Sequence, residues 1–329
     1  MRAVVYTKYG PPEVLQLREV EKPALMEDEV LVKVHAASVN YADCSFVRGK
    51  PFLVRLIGAG LLKPRNTILG SDIAGRVETV GGKVMQFQPG DEVFGDISDR
   101  GMGGFAEYVS VPEDALVPKP ASMTFEAAAA VPMAAVVALQ GLRDEGQIQP
   151  GQKVLINGAS GGIGTFAVQI AKSFGADVTG VCSTRNLDMV RSIGADQVID
   201  YTQEDFTQNE QHYDLILDIV ANRSASDYMR ALSPKGVCVL VGYSSPAVMF
   251  RIMFQGRGTS KTGSRKVVSL AAKPSRKDLV FVKELLEAGK VVPIVDRLYP
   301  VSEVAEAIRH YGERHAQGKV VVTVEHNGS

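Results

Sequence analysis

The chain has 329 residues, enough for two domains of ordinary size, and its 45% hydrophobic and 22% charged content is typical of a globular protein. Its formal net charge of −1 excludes a strong general attraction to nucleic acid or to an anionic membrane. Three widely spaced cysteines, Cys44, Cys182 and Cys238, form no CxxC pair and predict a reduced intracellular protein. No signal-peptide core follows Met1 and no apolar run approaches 18 residues, so we expect a cytoplasmic protein.

The first 124 residues are rich in strand patterns separated by Gly and Pro. The predicted strands cover residues 3–6, 29–35, 73–80, 92–94 and 106–111. This spacing indicates a compact, mostly β domain over residues 1–124.

The pattern changes at Thr124, a plausible helix N-cap with Glu126 in the first turn. Beyond it, strands at 154–157, 178–182, 198–199, 215–219 and 237–241 alternate with helical segments. Such alternation predicts an α/β domain with a doubly wound parallel sheet over residues 125–273. Residues 274–329 give a helix at 278–288 and a last strand at 319–324, and we expect this segment to return to the first domain.

A glycine-rich turn joins the strand at 154–157 to an amphipathic helix. Glycines let the backbone approach a pyrophosphate closely, and the free N–H groups of a helix start bind its charge. The residues predicted to bind a dinucleotide here are Gly158, Ser160, Gly161, Gly162, Ile163 and Gly164. Glycine spacing alone is a weak signal, and a plain strand–helix turn is the alternative.

The end of the next strand indicates which dinucleotide is bound. An NAD site usually places an acid there for the ribose 2′-hydroxyl, whereas an NADP site places a base for the 2′-phosphate. Asp177 lies at the wrong end of this strand and Asp188 falls inside the following helix, while Ser183 and Arg185 can donate to a phosphate. We therefore predict NADPH rather than NADH; a solvated loop charge at Arg185 is the alternative.

Several segments, taken in order, resemble one family. They are Gly-Ser-Asp-Ile-Ala-Gly-Arg-Val at 70–77, Gly-Asp-Glu-Val-Phe-Gly at 90–95, Ala-Leu-Gln at 138–140 and Ala-Gln-Gly-Lys-Val-Val at 316–321. With the glycine-rich turn, they resemble the medium-chain dehydrogenase/reductase superfamily, and in particular its zinc-free, zeta-crystallin-like quinone oxidoreductase branch. The resemblance implies a Rossmann cofactor domain and a GroES-like catalytic domain.

The resemblance also bears on metal chemistry. Zinc-dependent members of the superfamily carry a Cys and a His where this chain has Asn40 and Ser71. Neither residue supplies a thiolate or an imidazole, and the histidines show no ligand pairing, so we predict no metal. Without a Lewis acid, the easier reaction is hydride delivery from NADPH to an already electrophilic quinone or α,β-unsaturated ketone.

Three catalytic candidates follow from the resemblance. Asn40 is expected near the nicotinamide, where its amide holds substrate or cofactor, with turn capping as the alternative. Tyr41 is a candidate proton donor or stacking residue, or else a buried strand-end tyrosine. Ser71 is a candidate hydrogen-bond donor in place of a zinc ligand, with a structural role as the alternative.

Four further cofactor contacts are expected. The resemblance places Tyr201 near the adenosine phosphate and Lys319 against the cofactor; a loop aromatic and a salt-bridged surface lysine are the alternatives. Val220 and Gly242 follow two strands of the predicted parallel sheet, at the carboxyl edge where such sheets bind ligands.

Two apolar segments, 51–63 and 246–266, carry scattered basic residues. We expect them to favour a small lipophilic electrophile and to permit brief membrane contact, although core helices or a dimer contact explain them equally well. By analogy, a strand at 266–270 pairs across a homodimer. The predicted function is metal-independent, NADPH-dependent reduction of a quinone or enone. A metal-free carbonyl or alcohol dehydrogenase and a low-turnover NADPH-binding regulator remain open.

Overall fold

The computed structural model describes residues 1–52, 54–56, 60–242, 265–313 and 316–326. It divides into two compact units. The first, the β unit, comprises Met1–Met133, Pro274–Glu287 and Pro293–Ser329; the second, the parallel-sheet unit, comprises Ala134–Lys273 and Ala288–Val292. The boundary falls at residues 133–134, nine residues later than the boundary expected from the sequence.

The β unit begins with seven strands and its first helices. They are β1 (Arg2–Val5), β2 (Gln16–Glu19), β3 (Glu29–Ser38), α1 (Tyr41–Arg48), β4 (Asp72–Val80), β5 (Glu92–Asp96), β6 (Tyr108–Pro112), β7 (Val117–Pro118) and α2 (Phe125–Ala129). Short 3-10 turns lie at Pro12–Val14, Ser98–Arg100 and Glu113–Ala115. Thr124 caps α2, as predicted, by accepting a 3.2 Å hydrogen bond from the backbone N–H of Ala127.

The helix α3 (Pro132–Leu139) leads into the parallel-sheet unit through a π-helical turn at Gln140–Glu145. The described elements of the unit are then, in chain order, β8 (Lys153–Asn157), α4 (Gly162–Ser173), β9 (Asp177–Cys182), α5 (Leu187–Ser192), β10 (Gln197–Asp200), β11 (Tyr213–Asp218), α6 (Ala225–Ala231), β12 (Leu232–Leu240) and β13 (Lys266–Ser269), with a 3-10 turn at Thr184–Asn186. The six strands pair in parallel in the order β10-β9-β8-β11-β12-β13. The sequence prediction of a parallel α/β sheet is therefore confirmed.

The rest of the chain contains α7 (Arg276–Glu287), β14 (Val295–Pro300), α8 (Val304–Gly312) and β15 (Lys319–Thr323), with a 3-10 turn at Val301–Glu303. Strand β15 pairs antiparallel with β3, which completes a seven-stranded sheet in the order β14-β15-β3-β4-β5-β7, with β6 paired to β3. The C-terminal segment thus belongs to the same sheet as the N-terminal strands.

Both sheets are held by apolar side chains withdrawn from water. In the β unit, Val32, Val34, Ile73 and Val320 from three neighbouring strands are fully buried. In the parallel-sheet unit, strand β8 is buried on both faces, because helices cover a parallel sheet on each side. Among the described residues, no helix is long and apolar enough to span a bilayer.

Candidate cofactor and active site

The glycine turn, residues 157–164, starts where β8 ends. Gly158 adopts φ +88°, a left-handed conformation that strongly favours glycine. A Cβ at Gly164 would lie 2.0 Å from the carbonyl oxygen of Gly158, so the turn closes this tightly only with glycine there. By contrast, the nearest atom to a Cβ at Gly161 would be 3.5 Å away. The turn is therefore compact on its inner side and open at Gly161.

Gly161 is the N-cap of α4, so the first amides of that helix point out of the turn. This geometry fits the pyrophosphate of a dinucleotide, because unsatisfied N–H groups and the positive end of the helix dipole meet open space. Gly162 and Ile163 form the first turn of the helix beside Ser160. The six residues predicted from the sequence are thus brought together, and their role in binding remains a prediction.

A side-chain network links the turn to the end of β9. The amide Nδ2 of Asn186 donates to Ser160 Oγ at 2.9 Å and to Ser183 Oγ at 3.3 Å. Asn186 is buried, whereas Arg185 is exposed on the same 3-10 turn. Two hydroxyls therefore lie close together beside the glycine turn, and Arg185 lies on the adjacent 3-10 turn, where the sequence predicted recognition of a 2′-phosphate. The role of Asn186 in joining the two serines was not predicted from the sequence.

One acid near the end of β9 was not expected from the sequence. Asp200 ends β10 and pairs in register with Cys182 at the end of β9. Its carboxylate accepts a 2.5 Å hydrogen bond from the hydroxyl of Thr184, which lowers the pKa of Asp200. The parallel order of the strands was the available signal, because neighbouring parallel strands end at the same edge. The end of β9 itself carries no acid, as the sequence indicates, and the carboxylate on the neighbouring strand is engaged by threonine.

Tyr201 follows that acid, and its backbone N–H donates to the carbonyl of Cys182 at 3.0 Å. Its side chain is largely exposed, and its backbone lies beside Cys182, the residue before Ser183. Val220 lies on the loop after β11, 3.1 Å from the position that a Cβ on Gly158 would take. Gly242 lies at the same carboxyl edge, two residues after the end of β12.

In the β unit, register brings polar side chains to one end of the sheet. Ser38 at the end of β3 pairs with Asp72 at the start of β4, and Asp72 pairs with Asp96 at the end of β5. Lys319 begins β15 on the other side of β3. We call Ser38, Asn40, Ser71, Asp72 and Lys319 the Asn40 cluster; all five are buried.

Asn40 occupies the centre of this cluster. Its Nδ2 donates to Ser71 Oγ at 3.1 Å and to Asp72 Oδ2 at 2.9 Å, while its Oδ1 accepts from Lys319 Nζ at 2.6 Å. The lysine fixes the orientation of the amide, because a flipped amide would set its N–H groups against the ammonium. Both amide hydrogens are therefore in use, which leaves Asn40 one acceptor lone pair and no donor for a substrate carbonyl.

Asp72 and Lys319 form a buried ion pair at 3.4 Å. Asp72 also accepts from Ser38 Oγ and from the backbone N–H of Met133, each at 2.9 Å. The remaining donors of Lys319 reach Asn40 and the carbonyl of Val39. The alternative of a salt-bridged surface lysine is half right: Lys319 does form an ion pair, but it is buried rather than on the surface. Its predicted contact with the cofactor is not tested.

Two further carboxyls lie close by, and burial raises the pKa of both. The pKa of Asp96 rises to about 7 through burial and then through repulsion from Asp72. The pKa of Asp43 rises to about 6 through burial, although its carboxylate accepts from the backbone N–H groups of Asn40 and Gly70. Desolvation thus outweighs these favourable hydrogen bonds at Asp43.

The three predicted catalytic residues differ sharply in access to solvent. Tyr41, the first residue of α1, is 59% exposed, so the alternative of a buried strand-end tyrosine was wrong. Asn40 is 5% exposed, and it is also the N-cap residue of α1. Ser71 has no exposed surface. Tyr41 is therefore accessible from solvent and Ser71 is not, and their catalytic roles stay predictions.

The Asn40 cluster does not fit a catalytic zinc ion. Its donors are an amide, two hydroxyls and one carboxylate, without thiolate or imidazole. The ammonium of Lys319 also contacts the amide and carboxylate oxygens that a cation would need. Across the described ranges, no group of three or more His, Cys, Asp or Glu residues is placed to hold a metal.

Parts of the two apolar segments lie outside the described residues: 53 and 57–59 in the first, and 246–264 in the second. In the described part of the first segment, Phe52, Leu56, Leu61 and Leu62 are exposed, Leu62 to 90%. The alternative of a buried core helix is therefore wrong for these four side chains. Strand β13 pairs with β12 and lies at an edge of its sheet, so pairing across a dimer is not tested.

Comparison with known proteins gives the same architecture. Residues 26–121 match the family described as "Alcohol dehydrogenase GroES-like domain" and residues 193–322 the family described as "Zinc-binding dehydrogenase". The NAD(P)H oxidoreductase RTN4IP1, mitochondrial, of Mus musculus is 34% identical over 98% of this chain and 89% of its own. The NADPH-dependent alkenal/one oxidoreductase, chloroplastic, of Arabidopsis thaliana is 33% identical over 98% and 79%.

A solved structure supports the same assignment. The quinone oxidoreductase of Escherichia coli, complexed with NADPH, superposes with a TM-score of 0.84 at 25% identity, over 98% of this chain and 100% of that one. The present chain belongs to the medium-chain dehydrogenase/reductase superfamily, within its quinone oxidoreductase branch.

Proposed function

We propose that this protein is a metal-independent reductase that uses NADPH to reduce an α,β-unsaturated carbonyl compound or a quinone. One observation carries the proposal: the glycine turn fits a dinucleotide, while the Asn40 cluster does not fit a zinc ion. Zinc is what makes simple alcohols and ketones reactive in a hydride exchange, because it stabilises the alkoxide. Acceptors that delocalise their own negative charge are therefore the best substrates for this site.

The relatives support this choice of cofactor and acceptor. One relative is named as an NADPH-dependent alkenal/one oxidoreductase, and a structural neighbour is a quinone oxidoreductase complexed with NADPH. In the present chain, Ser183 and Arg185 supply hydroxyl and guanidinium donors for a 2′-phosphate. When bound, NADPH supplies a hydride, and an enone then takes the hydride at its β-carbon and a proton at its α-carbon to give the saturated ketone.

The chain's own residues have three roles in this scheme. The glycine turn and its helix hold the pyrophosphate. The Asn40 cluster presents one oriented carbonyl oxygen, Asn40 Oδ1, as an acceptor for a hydroxyl or amide hydrogen of the bound ligands. The exposed Tyr41 contacts the acceptor, and either its hydroxyl or solvent supplies the proton.

The surface around residues 44–71 suits a lipophilic acceptor. It carries five basic residues, no acidic residue and the exposed side chains of Phe52, Leu56, Leu61 and Leu62. Basic residues mixed with exposed apolar ones favour brief contact with an anionic lipid surface. Sedimentation with anionic vesicles tests this contact: L61S/L62S should reduce binding, and equal binding by wild type and variant would refute it.

We further propose a cytoplasmic homodimer that does not bind nucleic acid. The edge strand β13 supports self-association, because its outer side can pair with a second copy. The close balance of 36 basic and 37 acidic residues gives no general attraction to nucleic acid. Mass measurement by light scattering tests the dimer, and localisation of the tagged protein tests the compartment; a monomer, or an organellar location like that of some relatives, would refute the corresponding part.

The first experiment follows the loss of NADPH absorbance with a long-chain enone and an ortho-quinone side by side, with and without a chelator. We expect saturable turnover that the chelator leaves unchanged, and the preferred acceptor decides between the enone and the quinone. Turnover abolished by the chelator would refute metal independence. NADPH binding without turnover on either acceptor would favour a binding protein or a carbonyl dehydrogenase, which simple ketones and aldehydes then test.

A further inference from the structure

A buried carboxylate outside the predicted site holds together the loops at the carboxyl edge of the parallel sheet. Asp218 is the last residue of β11 and has no exposed surface. Its Oδ1 accepts hydrogen bonds from the backbone N–H groups of Val220 at 2.8 Å and Ala221 at 2.7 Å. A buried carboxylate in this position turns the chain sharply as it leaves the strand.

The same carboxylate reaches the glycine turn. Asn157 pairs in register with Asp218 and donates from Nδ2 to its Oδ1 at 3.0 Å. Asn157 is the last residue of β8 and directly precedes Gly158. The backbone reinforces the link, because the N–H of Ile219 donates to the carbonyl of Asn157 at 3.1 Å. Asp218 therefore ties the loop after β11 to the first residue of the glycine turn.

Two details show that this loop is held in a conformation it would not adopt freely. Ala221 has φ +46°, a left-handed conformation that is unfavourable for alanine. The hydroxyl of Tyr228, on the following helix α6, donates to Asp218 Oδ2 at 2.7 Å and secures the other oxygen. The two carboxylate oxygens therefore act separately, since Oδ1 holds the loop and Oδ2 anchors the group to α6.

Val220 is the residue that this arrangement places. Its Cγ2 is 3.1 Å from where a Cβ on Gly158 would lie, so its side chain packs directly over the left-handed glycine. A change in the loop would move this methyl group either into or away from the space beside the glycine turn. The position of the Val220 side chain relative to Gly158 therefore depends on the hydrogen bonds that the loop makes to Asp218.

We propose that Asp218 is a positioning residue for NADPH, which fixes Val220 against the glycine turn before the cofactor arrives. The inference rests on the proposed function, because it assigns a role at the same cofactor site. A preformed loop lowers the entropy lost on binding, so its benefit falls on cofactor affinity rather than on the hydride step.

Three variants separate positioning from simple stability. D218A removes both loop hydrogen bonds, and D218N keeps an acceptor oxygen for them. Y228F removes the bond to α6 and a long 3.4 Å bond from the backbone N–H of Arg223, but it leaves the bonds to Val220 and Ala221 in place. We expect D218A to raise the NADPH dissociation constant at least tenfold, with the KM for the acceptor at saturating NADPH changed less than twofold. D218N should stay within about threefold of wild type. Y228F should lower the urea midpoint and leave NADPH affinity within twofold.

Results that contradict the role of Asp218 differ from results that contradict the proposed function. D218A with wild-type NADPH affinity would overturn the inference, and so would equal losses of affinity in D218A and Y228F. Failure of the wild type to bind NADPH would instead overturn the proposed function, and the inference with it.

Hydrogen exchange of the free wild-type protein keeps the idea testable if D218A does not fold. The amides of Val220 and Ala221 should exchange at least tenfold more slowly than that of the exposed neighbour Asn222. Equal exchange rates for the three amides would show that the loop is not preformed and would overturn the inference.

Discussion

At the residue scale, two of the predicted catalytic residues and one predicted cofactor residue support one another. Asn40, Ser71 and Lys319 are far apart in sequence, yet they share one hydrogen-bond network with Asp72. A buried ion pair of this kind contributes little when intact, because desolvation offsets attraction, but breaking it leaves an uncompensated charge. The network therefore specifies the orientation of an amide more than it stabilises the fold.

The ion pair gives the first prediction. K319M should lower the free energy of unfolding by about 3–5 kcal/mol, because the carboxylate of Asp72 then remains buried without its cation. The double variant D72N/K319M should recover part of that loss, since no charge is left unpaired. Urea unfolding of both single variants and the double variant completes the cycle. A double variant that loses the sum of the two single effects would contradict a coupled pair.

The second prediction concerns cofactor choice. R185A should raise the KM for NADPH about tenfold or more and change the KM for NADH little, because only NADPH carries the 2′-phosphate. R191A is the matched control, since Arg191 is an exposed arginine on the adjacent helix that pairs with Asp188. Steady-state kinetics with both cofactors measure the effect. Equal changes in the two KM values for R185A would remove Arg185 from phosphate recognition.

The third prediction concerns pH. Because the pKa of Asp96 is raised to about 7 in the folded protein, against about 3.9 in an unfolded chain, the folded state holds the proton more tightly. The stability that this proton provides is present below about pH 4 and is lost as the pH rises through about 7.

Raising the pH from 4.5 to 7.5 should therefore lower the free energy of unfolding less in D96N than in wild type. The two decreases should differ by more than about 1.4 kcal/mol, the free energy that corresponds to one pKa unit. Asp43 has a raised pKa in both proteins and cancels in the comparison. D188N is the control, because Asp188 is fully exposed and belongs to the other unit. Urea unfolding across this range measures the slopes, and parallel slopes for wild type and D96N would contradict the raised pKa.

At the scale of the element, the strand–turn–helix of β8 and α4 combines two different uses of glycine. Gly164 is required by packing, since its Cβ would collide with the backbone of Gly158. Gly161 is an N-cap with an ordinary φ of −84° and open space around it. A glycine that the protein itself does not require is a candidate for contact with a ligand.

The fourth prediction separates these two glycines. G164A should destabilise the fold by several kcal/mol, on the order of other severe steric changes, because the backbone of the turn must shift. G161A should leave the urea midpoint nearly unchanged and weaken NADPH binding at least tenfold. Titration of NADPH fluorescence measures the affinity. Unchanged NADPH affinity in folded G161A would show that the cofactor does not approach this part of the turn.

At the scale of the whole molecule, two compact units divide the work. The parallel-sheet unit holds the glycine turn and its phosphate-binding candidates, and the β unit holds the Asn40 cluster and Tyr41. Strand β15 places Lys319 beside a network built from the first hundred residues, so the last tenth of the chain completes the β unit.

The fifth prediction concerns the stability of the whole protein with NADPH and with a chelator. NADPH at one hundred times its dissociation constant should raise the free energy of unfolding by about 2.7 kcal/mol, through preferential binding to the folded state. A chelator should produce no change. Urea unfolding with NADPH and with the chelator measures the two effects. A decrease in stability with the chelator would indicate a structural metal and would contradict our assignment.

Much of this protein follows from the sequence alone. The parallel sheet, the cap at Thr124 and the glycine turn depend on local patterns, because strand alternation, a capping hydroxyl and glycine spacing act within a few residues. The short strand–turn–helix motif therefore identified the candidate cofactor turn without knowledge of the rest of the chain.

Only the tertiary structure decided which side chains meet across large separations in sequence. Lys319 lies 279 residues from Asn40, and nothing local indicates that its ammonium is buried and fixes that amide. The neighbours of Asp200 and Asp218 likewise depend on how the parallel strands are paired in register, which cannot be read from the sequence. Local pattern determines which elements form; the burial of charges and the direction of each hydrogen bond depend on how distant strands pair, and those contacts shape the candidate site.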